Sequence, residues 1–325
     1  DGQGQAATFN LDRAERIEVM RGPMSSVYGN HAGGVIQMFT ADGKGRPSVE
    51  GGFTAGSYGS WKGDVSAQGE AAGVGYVLDA SRFITDGYRD HSSAERNQQM
   101  AKFTWRPDAD SRLMFVANGF SQKAEDPLGL TWNKYQSDPR GVESAALLYN
   151  TRKTIDQAQG GVSYERRFGD STIQLAAYAG QRSVIQYQSI PRFVQLILPS
   201  TPANDPKRMH SGGVIDFDRD YSGISGRWIG RFDLAGGRLT TTVGLEYEQS
   251  TDERRGYENY ASATNLGVKG ALRRNETDSV NSFDQYAQAE WQGQSWSFTG
   301  GVRHSQIDFK VDDHYIATGN GNDSG

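Results

Sequence analysis

The sequence predicts an all-β fold of many antiparallel strands, and three observations predict it. Apolar and polar residues alternate with period two in one stretch after another. Glycine is abundant, at 41 of 325 residues, while proline occurs only nine times and aromatic residues reach 11%. The connections between the alternating stretches are short and long by turns. Period two is the spacing at which side chains leave opposite faces of a strand, and glycine with few prolines suits strands joined by turns.

The clearest stretch sets Leu239, Thr241, Val243, Leu245 and Tyr247 against Thr240, Thr242, Gly244, Glu246 and Glu248. Similar stretches predict eleven strands, at about 48–56, 61–71, 73–84, 97–106, 111–122, 153–167, 172–189, 217–232, 237–254, 279–292 and 295–312. After a first hairpin at Ser57 to Ser60, the links Ala71 to Gly73, Arg106 to Ser111, Phe168 to Ser171, Asp233 to Gly237 and Gln292 to Ser295 are tight turns of Gly, Asp, Ser and Pro. Between them lie long polar connections near 85–97, 123–152, 190–216 and 255–278. In an up-and-down sheet every other connection lies on the same side, so short turns collect at one end and long loops at the other. That asymmetry predicts a transmembrane antiparallel β-barrel. Trp105, Phe168, Phe232, Trp291 and Trp296 flank the short turns, where an interfacial aromatic girdle belongs. The alternative for these rings is strand-end packing in a soluble sandwich.

Other classes receive little support. No run of about eighteen apolar residues occurs, which excludes a helical span; barrel strands, whose faces alternate, keep a low mean hydropathy such as the −0.67 found here. A net charge of −5 and a pI near 5.6 argue against a nucleic-acid partner. There is no cysteine, hence no disulfide framework or thiolate chemistry. His31, His91, His210, His304 and His314 are scattered, with no zinc-protease helix, serine elbow or phosphate loop, so neither a catalytic residue nor a metal site is assigned and no cofactor is expected. Asn320 to Gly325 has a trace of a calcium loop but lacks its closing glutamate. A soluble β-rich binding module remains a competing class, separable from a barrel by detergent dependence.

Residues 1–46 read differently. Arg16 to Met20 is a short strand, broken by Arg21-Gly22-Pro23; Val35 to Thr40 is a second, preceded by glycines at 29, 33 and 34. Glu15-Arg16-Ile17-Glu18-Val19-Met20-Arg21-Gly22-Pro23, with Tyr28-Gly29 and Gly33-Gly34-Val35-Ile36, resembles the end of the plug domain in TonB-dependent outer-membrane receptors. The resemblance implies a plug folded inside a 22-stranded barrel. It makes residues 1–46 the C-terminal part of the plug and 47–325 the N-terminal half of the barrel, in the outer membrane of a Gram-negative bacterium. It implies import, with TonB acting on an N-terminal segment that precedes this chain. Half a barrel would leave unpaired edges that lipid does not tolerate. It also implies that Arg16 and Arg21 pair with carboxylates on the inner wall, for which Glu246, Glu248 and Glu290 have the right phase; otherwise they are ordinary surface arginines.

A narrower resemblance, to the YncD-type (PqqU) receptors associated with pyrroloquinoline quinone uptake, rests on Gly56 to Trp61, Gly87 to Ser92, Asn150 to Gln157, Gln188 to Arg192, Gly213 to Asp216, Arg255 to Asn259 and Leu272 to Glu276. Phe193 to His210 matches least. The loops fit a small anionic ligand, because arginine forks bind carboxylates in pairs. The candidate ligand-binding residues are Arg89, Lys153, Arg192, Arg255, Tyr257 and Arg274, with Arg152, Arg254, Arg273 and Tyr260 nearby. Solvated loop charges, or contacts to lipopolysaccharide at the outer-membrane lipid surface, are the alternative for any one of them. A ferric siderophore or another metal chelate is the alternative cargo.

Overall fold

The computed structural model describes residues 10–20 and 34–325. A 3-10 turn, Leu11–Arg13, is capped by Asn10, whose side chain accepts from the Asp12 N–H. It leads into β1 (Ala14–Met20), which pairs antiparallel with β2 (Val35–Thr40). The remaining strands are β3 (Ser48–Ala55), β4 (Trp61–Ala71), β5 (Val74–Thr85), β6 (Ala94–Trp105), β7 (Ser111–Glu125), β8 (Arg152–Phe168), β9 (Ser171–Tyr187), β10 (Val214–Leu234), β11 (Gly237–Tyr257), β12 (Leu272–Gln292) and β13 (Ser297–Asp313). They form one eleven-stranded sheet in which each strand pairs with its sequence neighbours, so the order runs unbroken from β3 to β13.

All eleven strands read from the alternation are present. They differ at the ends that meet the long connections: β12 begins at Leu272 and β11 continues to Tyr257, where the sequence suggests loop. Segments such as Arg273-Arg274-Asn275-Glu276 are polar on both faces, so no apolar phase marks them. A strand of 21 residues spans roughly 70 Å at about 3.3 Å per residue, whereas about ten residues cross a bilayer. The polar ends therefore stand in water.

At the other end the turns are tight. Ala72-Gly73 and Ala235-Gly236 have φ of 51° and 77°, and of 51° and 71°, the left-handed pair that matches the twist of two-residue hairpins. On the long-loop side, 126–151 carries α1 (Trp132–Ser137) and α2 (Ser144–Tyr149), and 188–213 carries α3 (Arg192–Gln195) and a 3-10 turn, Pro206–Met209.

Register divides the sheet into two chemically distinct faces. Val49, Phe53, Val65, Leu78, Phe103, Phe115, Leu175, Ile224, Leu245, Phe283 and Val302 share the outer face and are exposed. So wide an apolar surface is a liability in water and a requirement in lipid. Trp105, Phe168, Phe232 and Trp296 ring its short-turn end. Trp291 completes the ring, donating from Nε1 to the Leu234 carbonyl at 2.8 Å and stacking on Phe298 with centroids 5.9 Å apart.

The inner face is polar, and the N-terminal sheet docks there through charge. Arg13 Nε donates to Asp79 at 3.0 Å, Asn10 Nδ2 donates to the same carboxylate at 2.6 Å, and Lys62 pairs with Asp12. Asp42 collects Lys102, Arg106 and Arg112 at 2.9, 2.9 and 2.8 Å. Gly43 lies so close to β5 that a Cβ there would stand 2.1 Å from the Tyr76 carbonyl oxygen.

These contacts correct the expected ion pairs. Arg16 pairs with Glu18 of its own strand at 3.0 Å and lies over the Phe39 ring at 4.3 Å. Glu246 takes Arg303 of β13 at 2.7 Å, Glu248 accepts from the Tyr178 hydroxyl at 2.5 Å, and Glu290 is exposed. Arg21 lies outside the described residues. The seam is ionic but built from Arg13, Lys62, Asp79 and Asp42, because the N-terminal sheet sits against β3–β7 and not against β11 and β12.

Candidate functional site

The inner face at the long-loop end gathers cations from neighbouring strands. Lys153 of β8 is half-buried there, within electrostatic reach of Arg182 of β9. Arg182 stands opposite Arg219 of β10 in register and donates to Gln157 at 2.7 Å. Arg219 is clamped by Asp252 through two hydrogen bonds, one of 2.5 Å from Nε. Beyond it Arg254 pairs with Asp278 at 2.8 Å, and Arg274 with Glu276 at 3.2 Å. Lys153 stands between Ala124 of β7 and Gln186 of β9 in register, with no carboxylate directly opposite it.

Beneath Lys153 the same face carries an apolar collar. Phe120, Ile155 and Val184 are buried together, with Phe217 packed against them. Below the collar come Gln157, with Arg182 opposite it in register, then Gln159 and Tyr221, whose hydroxyl donates to Gln159 at 2.7 Å. A cationic rim, an apolar ring and hydrogen-bonding side chains together suit a flat anion.

The loops above are knitted into one body. Gln195 and Asn259 are fully buried, and each donates and accepts: Gln195 Nε2 to Asn259 Oδ1 at 2.8 Å, Asn259 Nδ2 to the carbonyls of Gln188 and Ile190 at 2.7 and 3.0 Å. The Tyr149 hydroxyl accepts from the Arg192 N–H at 2.8 Å, and Arg273 donates to the carbonyl of Gln195 at 2.6 Å and to Glu258 at 3.1 Å. His210 accepts at Nδ1 from the Gly212 N–H. Burial and the nearby Arg273 guanidinium both push its pKa down, which keeps it neutral for that role.

The sequence-derived candidates separate accordingly. Lys153 and Arg274 face inward, and Arg192 lies over the Tyr260 ring at 5.1 Å. Arg89 is a correction: its guanidinium donates to the carbonyls of Gly141, Leu128 and Pro127 at 3.0, 2.5 and 3.0 Å, fastening two loops together. Arg255 and Tyr257 are likewise corrected. They alternate to the outer face, where Arg255 donates to Asp218 at 2.6 Å and Lys269 lies 4.1 Å from the Tyr257 ring. Arg182 and Arg219 were missed because they lie inside strands; counting strand phase from Lys153 would have found them.

Three solved structures show the same architecture. The ferric citrate transporter FecA in its unliganded form is 18% identical and superposes with a TM-score of 0.74 over 94% of this chain and 45% of its own. The siderophore receptor PiuA from Acinetobacter baumannii gives 13%, 0.74, 96% and 50%. The ferric yersiniabactin uptake receptor FyuA from Yersinia pestis gives 14%, 0.72, 96% and 47%. At these identities the likeness is one of fold, and the chain spans about half the length of each. The family model described as TonB dependent receptor-like, beta-barrel, matches residues 46–325, and the chain belongs to that family.

Proposed function

We propose that this chain is part of a TonB-dependent receptor of the Gram-negative outer membrane that imports a small anionic ligand, with pyrroloquinoline quinone as the favoured cargo. In this reading residues 1–46 are the C-terminal part of the plug, TonB acts on a segment preceding it, and the outer face meets lipid and lipopolysaccharide. The observation that carries the reading is a pair of inner-face cations on either side of the collar of Phe120, Ile155 and Val184, Lys153 above it and Arg182 below it. A planar tricarboxylate would set its ring against the collar and its carboxylates against the two cations. The loop resemblance to the YncD-type receptors supports the quinone. A ferric chelate is the second reading, since ferric citrate is also an anion and similar folds carry iron chelates by name.

Isothermal titration of the full-length receptor with pyrroloquinoline quinone and with ferric citrate, at matched salt, decides between them. Lys153→Met should weaken binding of the true ligand by roughly 1.5–3 kcal/mol, the range for a hydrogen bond to a charged group. Arg255→Ala, on the outer face, should leave it unchanged. The reverse pattern overturns the site, and heat from ferric citrate alone overturns the quinone.

A further inference from the structure

Between the N-terminal sheet and the inner face of β6–β8 lies a cavity of about 320 Å³, near the lower end of small-molecule sites. Its walls are mostly amides, with Asn10 and the thioether of Met38 on one side, and Gln98, Asn118, Gln157 and Gln159, beside the Phe120 ring, on the other. Its chemistry differs from that of the seam below it, where Lys102, Arg106 and Arg112 converge on Asp42. Gln157 belongs to both the cavity and the cation site, for it accepts from Arg182.

Further down the same face come Gly161 and Ser163 of β8 and Ala176 of β9, all small. Tyr178 leaves this strip open by lying across Gly223 towards Glu248. Near the short-turn end a second cavity, of about 330 Å³, is lined by Arg112, Glu165, Gln174, Arg227 and Glu246 among others.

We propose that the amide-lined cavity is the first stage of the cargo's route past the plug, running from Lys153 and Arg182 down the inner face of β7–β9 to the lower cavity. The inference rests on the import reading above. A conducting path must bind strongly enough to admit its cargo and weakly enough to release it. Fixed cations would hold an anion and carboxylates would repel it. Amides donate and accept without net charge, so an anion can exchange one hydrogen bond for the next. The ionic clamps hold the plug elsewhere, at β3–β7, and leave this stretch of the seam uncharged.

The test uses the full-length receptor on intact cells, with a single cysteine at Asn118→Cys or Met38→Cys and a membrane-impermeant anionic maleimide. Val77→Cys is the comparator, since Val77 is fully buried. The route requires both cavity positions to label at least ten-fold faster than position 77. It also requires the bulky adduct to slow pyrroloquinoline quinone uptake at least five-fold while its affinity stays within two-fold. Labelling no faster than at position 77, or uptake undiminished by the adduct, overturns the route. If the quinone does not bind the unmodified receptor, the cargo assignment fails and labelling alone judges the route.

Discussion

At the scale of single residues, position along the chain decides what an arginine can do. Arg13 and Arg16 are three positions apart in the N-terminal segment, yet Arg13 reaches Asp79 on the wall and Glu50 at 3.5 Å, while Arg16 stays within its own sheet. Arg13→Ala in the full-length receptor should therefore raise hydrogen exchange through β1 and β2. The loss should be about 1.5–3 kcal/mol, the range for hydrogen bonds to charged groups. Arg16→Ala should change exchange by no more than about 0.5 kcal/mol, as surface substitutions do; equal effects would place the contact wrongly. Asp42 gives the same seam a pH signature. Burial disfavours its charge, but hydrogen bonds from Lys102 and Arg106 and the charges of Lys102 and Arg112 outweigh it and hold the carboxyl well below its ordinary 3.8. The stability it contributes is present above that value and is lost only as pH falls below it, through the depressed folded pKa. Physiological pH leaves the clamp closed.

At the scale of elements, the long loops behave as one unit because their polar core is satisfied across loop boundaries. Asn259 joins 258–271 to 188–213, and Tyr149 joins 126–151 to the same core. Asn259→Ala would strand the carbonyl of Gln188 and one N–H of the Gln195 amide, whose other hydrogen bond, to the Ile190 carbonyl, remains, at roughly 1–3 kcal/mol for each buried group left unpaired. Hydrogen exchange should then rise in 188–213 and 258–271 together. A rise confined to 258–271 would show that the loops move independently. Long-range contacts of this kind leave no local pattern in a sequence, which is why Arg89 and Arg192 read as candidate ligand-binding arginines and emerge as a fastening between two loops and a guanidinium over the Tyr260 ring. The strands were legible for the opposite reason. Lipid on one side and water on the other impose period two on residues such as Leu245 and Glu246, and the signal fades at Leu272 to Asp278, where both faces meet water. The phase that exposes Glu246 and Glu248 to the lumen was legible too. Their partners, Arg303 and Tyr178, were not, because pairing across a face depends on register with strands far away in the chain.

At the scale of the whole molecule, the sheet is a partition: an apolar outer face with an aromatic rim, and an inner face with cations on both sides of an apolar collar and amides beside the N-terminal sheet. In the import reading proposed above, cations and amides along one face suit the passage of an anion, and the partition is what sets that face apart from lipid. Every assignment of a residue to ligand, plug or lipid above follows from that partition. The most direct measurement is spin labelling of the full-length receptor in a lipid bilayer, one position at a time from Val243 to Glu248 in β11, with accessibility to oxygen and to a water-soluble nickel chelate recorded for each. Positions 243, 245 and 247 should favour oxygen, and 244, 246 and 248 should favour nickel, in strict alternation. Alternation of the opposite phase, or none, would contradict the account.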